Sequence, residues 1–336
     1  MRAIVYERTG DPTVLQLVDR PVPEPGAGEV LVRIAVAGVN PTDWKARRQW
    51  PLPAGWQIPG QDGAGVVEAV GAGVDQGLVG ERVWLWEAAW QRPWGTAAEY
   101  TLIPARQVVP LGDASFELGA CLGIPFLTAH RCLTAGEYLP DSLRPGALSD
   151  HAVLVQGGAG AVGNAAIQLA AWAGAGVIAT VSSPEKAQLA AAAGASVVIN
   201  YREQDVVTEV RKVAPDGVHT IVEVSAARNA ATDVQVLHPG GVVCVYADDG
   251  GDEVTLPIRP LMVPNARWQF VLVYTLPKAA KAQAVVDVAA AAAQGGIRVG
   301  EEAGLPLHRY PLAATAEAHQ AVEDATVGKV LISTTG

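Results

Sequence analysis

Gly158, Gly160 and Gly163 fall in the spacing G-x-G-x-x-G inside "VLVQGGAGAVGNAAIQLA", with Ala159, Ala161 and Val162 filling the turn. Such a turn can hold a dinucleotide pyrophosphate. The first glycine allows the tight bend, the second lets the backbone approach the phosphates, and the third lets the helix pack on the strand. The N–H groups and positive dipole end of that helix complete the anion site. In a chain with 36 glycines the spacing alone is weak. The apolar strand before it, the helix after it and a second strand beyond give it force. About 20 residues on, a site of this design ends its second strand with an acid for the ribose 2′-hydroxyl. Here "GVIATVSSPEK" supplies Ser182 and Ser183, with Lys186 one helical turn further. A carboxylate would repel a 2′-phosphate, whereas two hydroxyls leave room and a lysine adds a charge-assisted contact. Tyr201, just past the third strand in "VVINYRE", can lie against the adenosine. The missing acid points to NADPH.

The elements that must position these residues follow from the texture of the chain. From 124 to 275, apolar runs ("AVLVQ", "VIATV", "VVIN", "TIVEVS", "VVCVYA") alternate with helix-like segments. That pattern predicts an α/β domain with a parallel sheet covered on both faces. Residues 1–123 are rich in Gly, Pro and Val, with short alternating runs such as "EVLVRIAVAGV", and read as β-rich. The tail, 276–336, reads as an alanine-rich helix, a second helix and a last strand, and is expected to rejoin the first domain.

Composition excludes several functions. The chain has 336 residues, enough for two domains, and a formal charge of −10 with no polybasic run, which argues against nucleic acid as a partner. The alanine-rich run at 283–293 is too short and too polar to span a bilayer, and "MRAIVYERTGDPTVLQL" reads as a strand, not a secretory signal. Cys121, Cys132 and Cys244 share no motif spacing and read as reduced, buried thiols of a cytoplasmic protein.

"VLVQGGAGAVGNAAIQLA", "GASVVINYRE" and "HPGGVVCVYA" resemble the cofactor half of the zinc-independent quinone oxidoreductases, the zeta-crystallin-like family of the medium-chain dehydrogenase/reductase superfamily. "GEVLVRIAVAGVNPTDWK", "IPGQDGAGVVEAVGAGV", "GTAAEYTLIPARQVVPL" and "GIPFLTAHRCL" resemble its catalytic half, and "GKVLIST" its last strand. The resemblance implies a GroES-like β-rich catalytic domain built from both chain ends, a Rossmann doubly wound domain between them, and a substrate held in the cleft. It implies a homodimer joined through the edge strand near 267–277. The cofactor-binding set also includes Tyr246, Val271, Val273 and Lys329.

In the related zinc alcohol dehydrogenases the metal ligands would fall at Asn40, Gln61 and Ile124, none of them a Cys or His, and Asp62 alone is insufficient for zinc. No metal is expected. His130 reads as a packed or solvated residue. Hydride transfer to a quinone or other α,β-unsaturated carbonyl needs orientation and a donor for the developing oxyanion, and Asn40 is the candidate catalytic residue for that role. The loop after it lacks the tyrosines often found in quinone-active relatives. Trp44, Trp50 and Trp86, with Asp62, are the candidate pocket residues. Seven tryptophans between 44 and 94 suggest a wide aromatic wall. Alternatives are an enoyl-thioester or alkenal double-bond reductase, and a non-catalytic NADPH-binding or redox-sensing protein. A zinc-type alcohol dehydrogenase is the remote third.

Overall fold

A computed structural model describes residues 1–334 and separates the chain into two compact units, Met1–Ile124 with the segment from Pro306 onward, and Pro125–Leu305. In the first unit the chain forms β1 (Arg2–Val5), β2 (Gln16–Asp19), β3 (Glu29–Val39), α1 (Pro41–Gln49), β4 (Asp62–Val70), β5 (Arg82–Leu85), β6 (Tyr100–Pro104), β7 (Val108–Pro110) and α2 (Phe116–Cys121). The second unit then contributes α3 (Leu127–Thr134), β8 (Ala152–Val155), α4 (Ala161–Trp172), β9 (Gly176–Val181), α5 (Pro184–Ala193), β10 (Val197–Asn200), α6 (Val206–Val213) and β11 (Val218–Glu223). It continues through α7 (Ala226–Val236), β12 (Leu237–Val245), α8 (Ile258–Met262), β13 (Arg267–Phe270) and α9 (Lys278–Ala293). The return to the first unit brings β14 (Leu307–Pro311), α10 (Thr315–Glu323) and β15 (Lys329–Ser333).

In the first unit, β3 is the axis of the main sheet. Its alternation turns Val30, Val32 and Ile34 inward while Arg33 faces solvent, as a half-buried strand requires. It pairs antiparallel with β4, β6 and β15, so the last strand of the chain lies beside one of the first. This placement brings residue 329 to the neighbourhood of residue 40.

The second unit holds a six-stranded parallel sheet in the order β10-β9-β8-β11-β12-β13. In order of appearance this is 3-2-1-4-5-6, the doubly wound dinucleotide arrangement, whose switch point lies between β8 and β11. Residues Val153–Val155, Val177–Val181 and Ile221–Glu223 are buried, as expected of strands covered on both faces. The α/β class and the doubly wound sheet agree with the sequence reading.

The boundary differs. The sequence reading closed the dinucleotide unit at 275, whereas the compact unit runs to Leu305. The cause is α9, which buries Ala284, Val288 and Ala291 and packs against α3. Asp287 of that helix accepts His130 Nε2 at 2.7 Å. It also accepts the Leu143 N–H at 2.7 Å and the Ser142 hydroxyl at 3.1 Å. His130 is thus a packed residue, and the long segment before the glycine turn is fastened to α9.

Candidate functional site

The glycine turn stands at the switch point, between the end of β8 and the start of α4. Gly157 adopts φ +71°, a left-handed conformation that favours glycine. Gly163 is fixed by packing, since a Cβ there would lie 2.4 Å from the Gly157 carbonyl oxygen. Gly160 is the N-cap of α4 and offers no side-chain cap, so the first N–H groups of the helix stay available for phosphates. Gly158 donates its N–H to the Thr180 carbonyl at 2.9 Å, tying the turn to β9.

At the end of β9, Lys186 Nζ donates to Ser182 Oγ at 3.2 Å. Tyr201 sits alongside, its N–H donating to the Val181 carbonyl at 3.1 Å, with an exposed ring. Ser182 and Lys186 are thus in contact at the end of β9, and the backbone of Tyr201 is bonded to the same strand end. Ser183 has a different role. Its hydroxyl caps α5, accepting the Lys186 N–H at 3.3 Å, and its bond to the exposed Glu185 holds that carboxyl below the usual range. Tyr246, Val271 and Val273 follow β12 and β13 at the carboxyl end of the sheet, and the Val271 N–H donates to the Val245 carbonyl at 2.8 Å. Burial keeps the Tyr246 phenol protonated far above its ordinary range.

Lys329 belongs to the first unit. It opens β15 in the first unit, is 2% exposed, and donates from Nζ to Asn40 Oδ1 at 2.5 Å. Asn40 precedes Pro41 at the start of α1, where proline fits the first helical position. Its Nδ2 donates to Asp62 Oδ2 at 2.7 Å. Asp62 also accepts the Ile124 N–H at 2.9 Å, and Lys329 Nζ is 3.6 Å from its carboxylate. Gly123 makes this approach possible, because a Cβ there would stand 2.0 Å from Asp62 Oδ1. Burial lifts the Asp62 carboxyl, against the pull of Lys329 and of the N–H groups of Asn40 and Ile124. Asp43 accepts the Asn40 N–H at 2.8 Å, and burial raises it to about 7.

The positions equivalent to zinc ligands therefore do come near one another, but as Asn40, Gln61 beside Asp62, and Ile124, with an ammonium group among them. These residues do not fit zinc, which needs several Cys, His or carboxylate donors. Among the described residues, no group of three or more His, Cys, Asp and Glu side chains could hold a metal ion. The sequence reading missed Lys329 as the partner of Asn40. The available signal was an ionisable residue at the head of the apolar run "KVLIS".

The tryptophans do not form one wall. Trp84 is a core residue and Trp86 is 7% exposed, its carbonyl accepting Gln107 Nε2 at 2.8 Å. Trp56 and Trp94 pair edge to face at 5.1 Å, with Arg20 over Trp56 at 3.8 Å. Trp50 packs edge to face with Trp90 at 5.5 Å. Trp44, beside Lys45, and Trp50 keep partly exposed rings. The burial of Trp86 and Trp84 corrects the expectation of a continuous surface.

A doubly wound sheet with a glycine turn at its switch point, joined in one chain to a β unit closed by both termini, defines a dinucleotide oxidoreductase of the medium-chain superfamily. Family models agree: residues 26–113 match the alcohol dehydrogenase GroES-like domain and residues 161–291 the zinc-binding dehydrogenase domain. A quinone oxidoreductase of Lama guanicoe is 32% identical over 99% of this chain and 97% of its own. The chain belongs to the quinone oxidoreductase, zeta-crystallin-like family of that superfamily. A solved NAD-dependent alcohol dehydrogenase is 30% identical, with a TM-score of 0.84, over 99% of this chain and 100% of its own. The Escherichia coli quinone oxidoreductase complexed with NADPH is 26% identical, with a TM-score of 0.80, over the same shares. Among the described residues no helix is long and apolar enough to cross a membrane.

Proposed function

We propose that the chain is a zinc-independent, NADPH-dependent reductase of quinones or other α,β-unsaturated carbonyls. The observation that carries the cofactor choice is the contact of Lys186 Nζ with Ser182 Oγ at 3.2 Å, at the strand end where a carboxylate would select NADH. The Escherichia coli relative solved with NADPH supports the same choice. When bound, NADPH supplies the hydride. The start of α4 holds the pyrophosphate through backbone N–H groups, and Ser182, Lys186 and Tyr201 surround the 2′-phosphate. Tyr246, Val271 and Val273 give the nicotinamide end an apolar floor.

On the acceptor side, Asn40 Nδ2 carries two hydrogens, of which Asp62 takes one. The second stabilises the acceptor's carbonyl oxygen as negative charge grows there. Lys329 is a positioning residue. By donating to Asn40 Oδ1 it fixes the amide orientation and polarises the N–H that faces the oxygen. Trp44 and Trp50 offer flat apolar faces to a planar acceptor. The oxyanion left by hydride transfer takes its proton from water, so no side-chain acid is required.

A panel of quinones, enones, enoyl thioesters and simple aldehydes, followed by loss of NADPH absorbance, tests the acceptor class. Quinones and enones should turn over and aldehydes should not. Turnover of aldehydes alone would overturn the reading.

A further inference from the structure

Two carboxylic side chains are buried together under the dinucleotide turn. Glu223 ends β11, Asp233 lies in α7, and both are 0% exposed. Asp233 Oδ1 accepts Gln156 Nε2 at 3.0 Å. Its Oδ2 is buried with no N–H or hydroxyl donor in reach, and the Asp233 and Glu223 carboxyls lie in hydrogen-bonding contact with each other. Glu223 itself accepts the Ser225 N–H, and Asn229 Nδ2 at 3.0 Å. Two buried carboxyls in contact cannot both ionise. Burial first, and then Glu223's charge, push Asp233 well above the carboxylate range, and burial raises Glu223 as well.

The surroundings offer no counter-charge. Among the described residues no ion pair reaches either carboxyl. Beyond β12, Tyr246 lies within electrostatic reach of Glu223, and Cys132 and Asp249 lie within reach of Tyr246. On α7 itself, Arg228 lies against the backbone of Gly250. On α6, Lys212 pairs with Glu209, and Arg211 donates to the carbonyls of Pro215 and Gln235. β8 and β9 present only the neutral Gln156 and Thr180.

From Asp233 a chain of hydrogen bonds runs to the phosphate turn. Gln156 Oε1 accepts the Thr180 hydroxyl at 2.6 Å, and Thr180 Oγ1 accepts the Gly157 N–H at 3.3 Å. Gly157 is the left-handed residue on which Gly163 packs. We propose that Glu223 and Asp233 share a single proton, and that this proton holds the glycine turn in its binding geometry, so that dinucleotide affinity falls in alkaline solution. Loss of the proton to solvent leaves two adjacent anions. Their repulsion displaces Asp233, and Gln156 and Thr180 pass the displacement to Gly157. Both carboxyls are positioning residues, and the proposal rests on the reading of a bound dinucleotide.

The test is calorimetric titration of the whole protein with NADPH and with NADH, from neutral to strongly alkaline buffer. For the native sequence both dinucleotides should weaken roughly tenfold, a typical coupling. Asp233→Asn supplies a fixed N–H in place of the shared proton and should flatten the profile, and Glu223→Gln should do the same should the first variant not fold. Infrared difference spectra of dinucleotide-free native protein minus either variant should show at neutral pH a protonated-carboxyl C=O stretch belonging to this pair, the Asp43 and Asp62 contributions cancelling in the difference. Parallel alkaline losses in native protein and variants, or absence of that band, overturn the proposal. A loss confined to NADPH points to Lys186 and also overturns it. Native protein that binds neither dinucleotide overturns the cofactor reading instead, while the infrared band still decides the shared proton.

Discussion

Lys329 Nζ donates to Asn40 Oδ1 at 2.5 Å and stands 3.6 Å from Asp62 Oδ2, joining residues 289 positions apart in the chain. The pairing of β15 with β3 makes this possible, by laying the last strand against the one that leads into Asn40. A buried carboxylate, an amide and an ammonium group thus form one unit, with each partner holding the next.

Removing the ammonium should separate stability from catalysis. Lys329→Met leaves Asp62 without its cation and should cost about 3–5 kcal/mol of stability. Adding Asp62→Asn should recover much of that loss in denaturant melts, while turnover stays low because the Asn40 amide is no longer polarised. Asn40→Ala should lower turnover roughly a hundredfold with little change in NADPH affinity. Full turnover in the Lys329→Met/Asp62→Asn double variant would make the cluster structural.

Lys186→Ala should weaken NADPH by about 1.5–3 kcal/mol, the worth of one hydrogen bond to a charged group, and leave NADH nearly unchanged. Fluorescence titration with both dinucleotides measures the difference. Equal losses would remove Lys186 from the 2′-phosphate site.

Two buried groups should tilt the pH dependence of stability in opposite directions. Burial, with Arg47 nearby, lowers His319 from 6.5 to about 3, so the folded state binds fewer protons than the unfolded chain between those values. This contribution falls as the pH drops through that window. Burial raises Asp43 from 3.8 to about 7, so its contribution falls as pH rises over that range. His319→Gln should therefore gain on the native protein in acid, and Asp43→Asn should gain near neutrality. Melting temperatures across weakly acidic buffers would reveal both slopes.

The edge of the six-stranded sheet predicts self-association. Among the described residues β13 pairs only with β12, and it carries exposed Phe270, with Leu272, Ile258, Met262 and Val263 also exposed. An apolar sheet edge of this kind invites pairing with a second copy. Light scattering should report a dimer, and Phe270→Glu should shift it toward monomer. A native monomer at micromolar concentration would refute the dimer.

The cofactor half was legible because its signals are local. The glycine spacing, the strand ends and the Ser182–Lys186 interval all lie within a few turns of chain, and the sheet order follows from alternating strands and helices. The acceptor half depends on contacts between distant segments. The motif "GVNPTD" singled out Asn40 as a candidate, but its bond to Lys329 required knowing that β15 lies beside β3. Trp84 and Trp86, two residues apart, share one face of a strand and its extension, but nothing in the spacing told that this face would be covered. Glu223, inside "TIVEVS", showed its charge in an apolar run, but its partner Asp233 sits on a helix that periodicity alone could not turn toward it. The place where α9 belongs was likewise set by tertiary contacts, its buried alanine and valine face against α3 and the bonds of Asp287 to His130, Ser142 and Leu143.

The central claim, a metal-free reductase selective for NADPH, is tested most directly by kcat/KM for reduction of a planar quinone with NADPH and with NADH, on protein exhaustively treated with chelator. Turnover should be undiminished by chelation and should show a preference for NADPH that Lys186→Ala abolishes. Turnover lost with the metal and restored by zinc, or equal rates with the two dinucleotides, would contradict it.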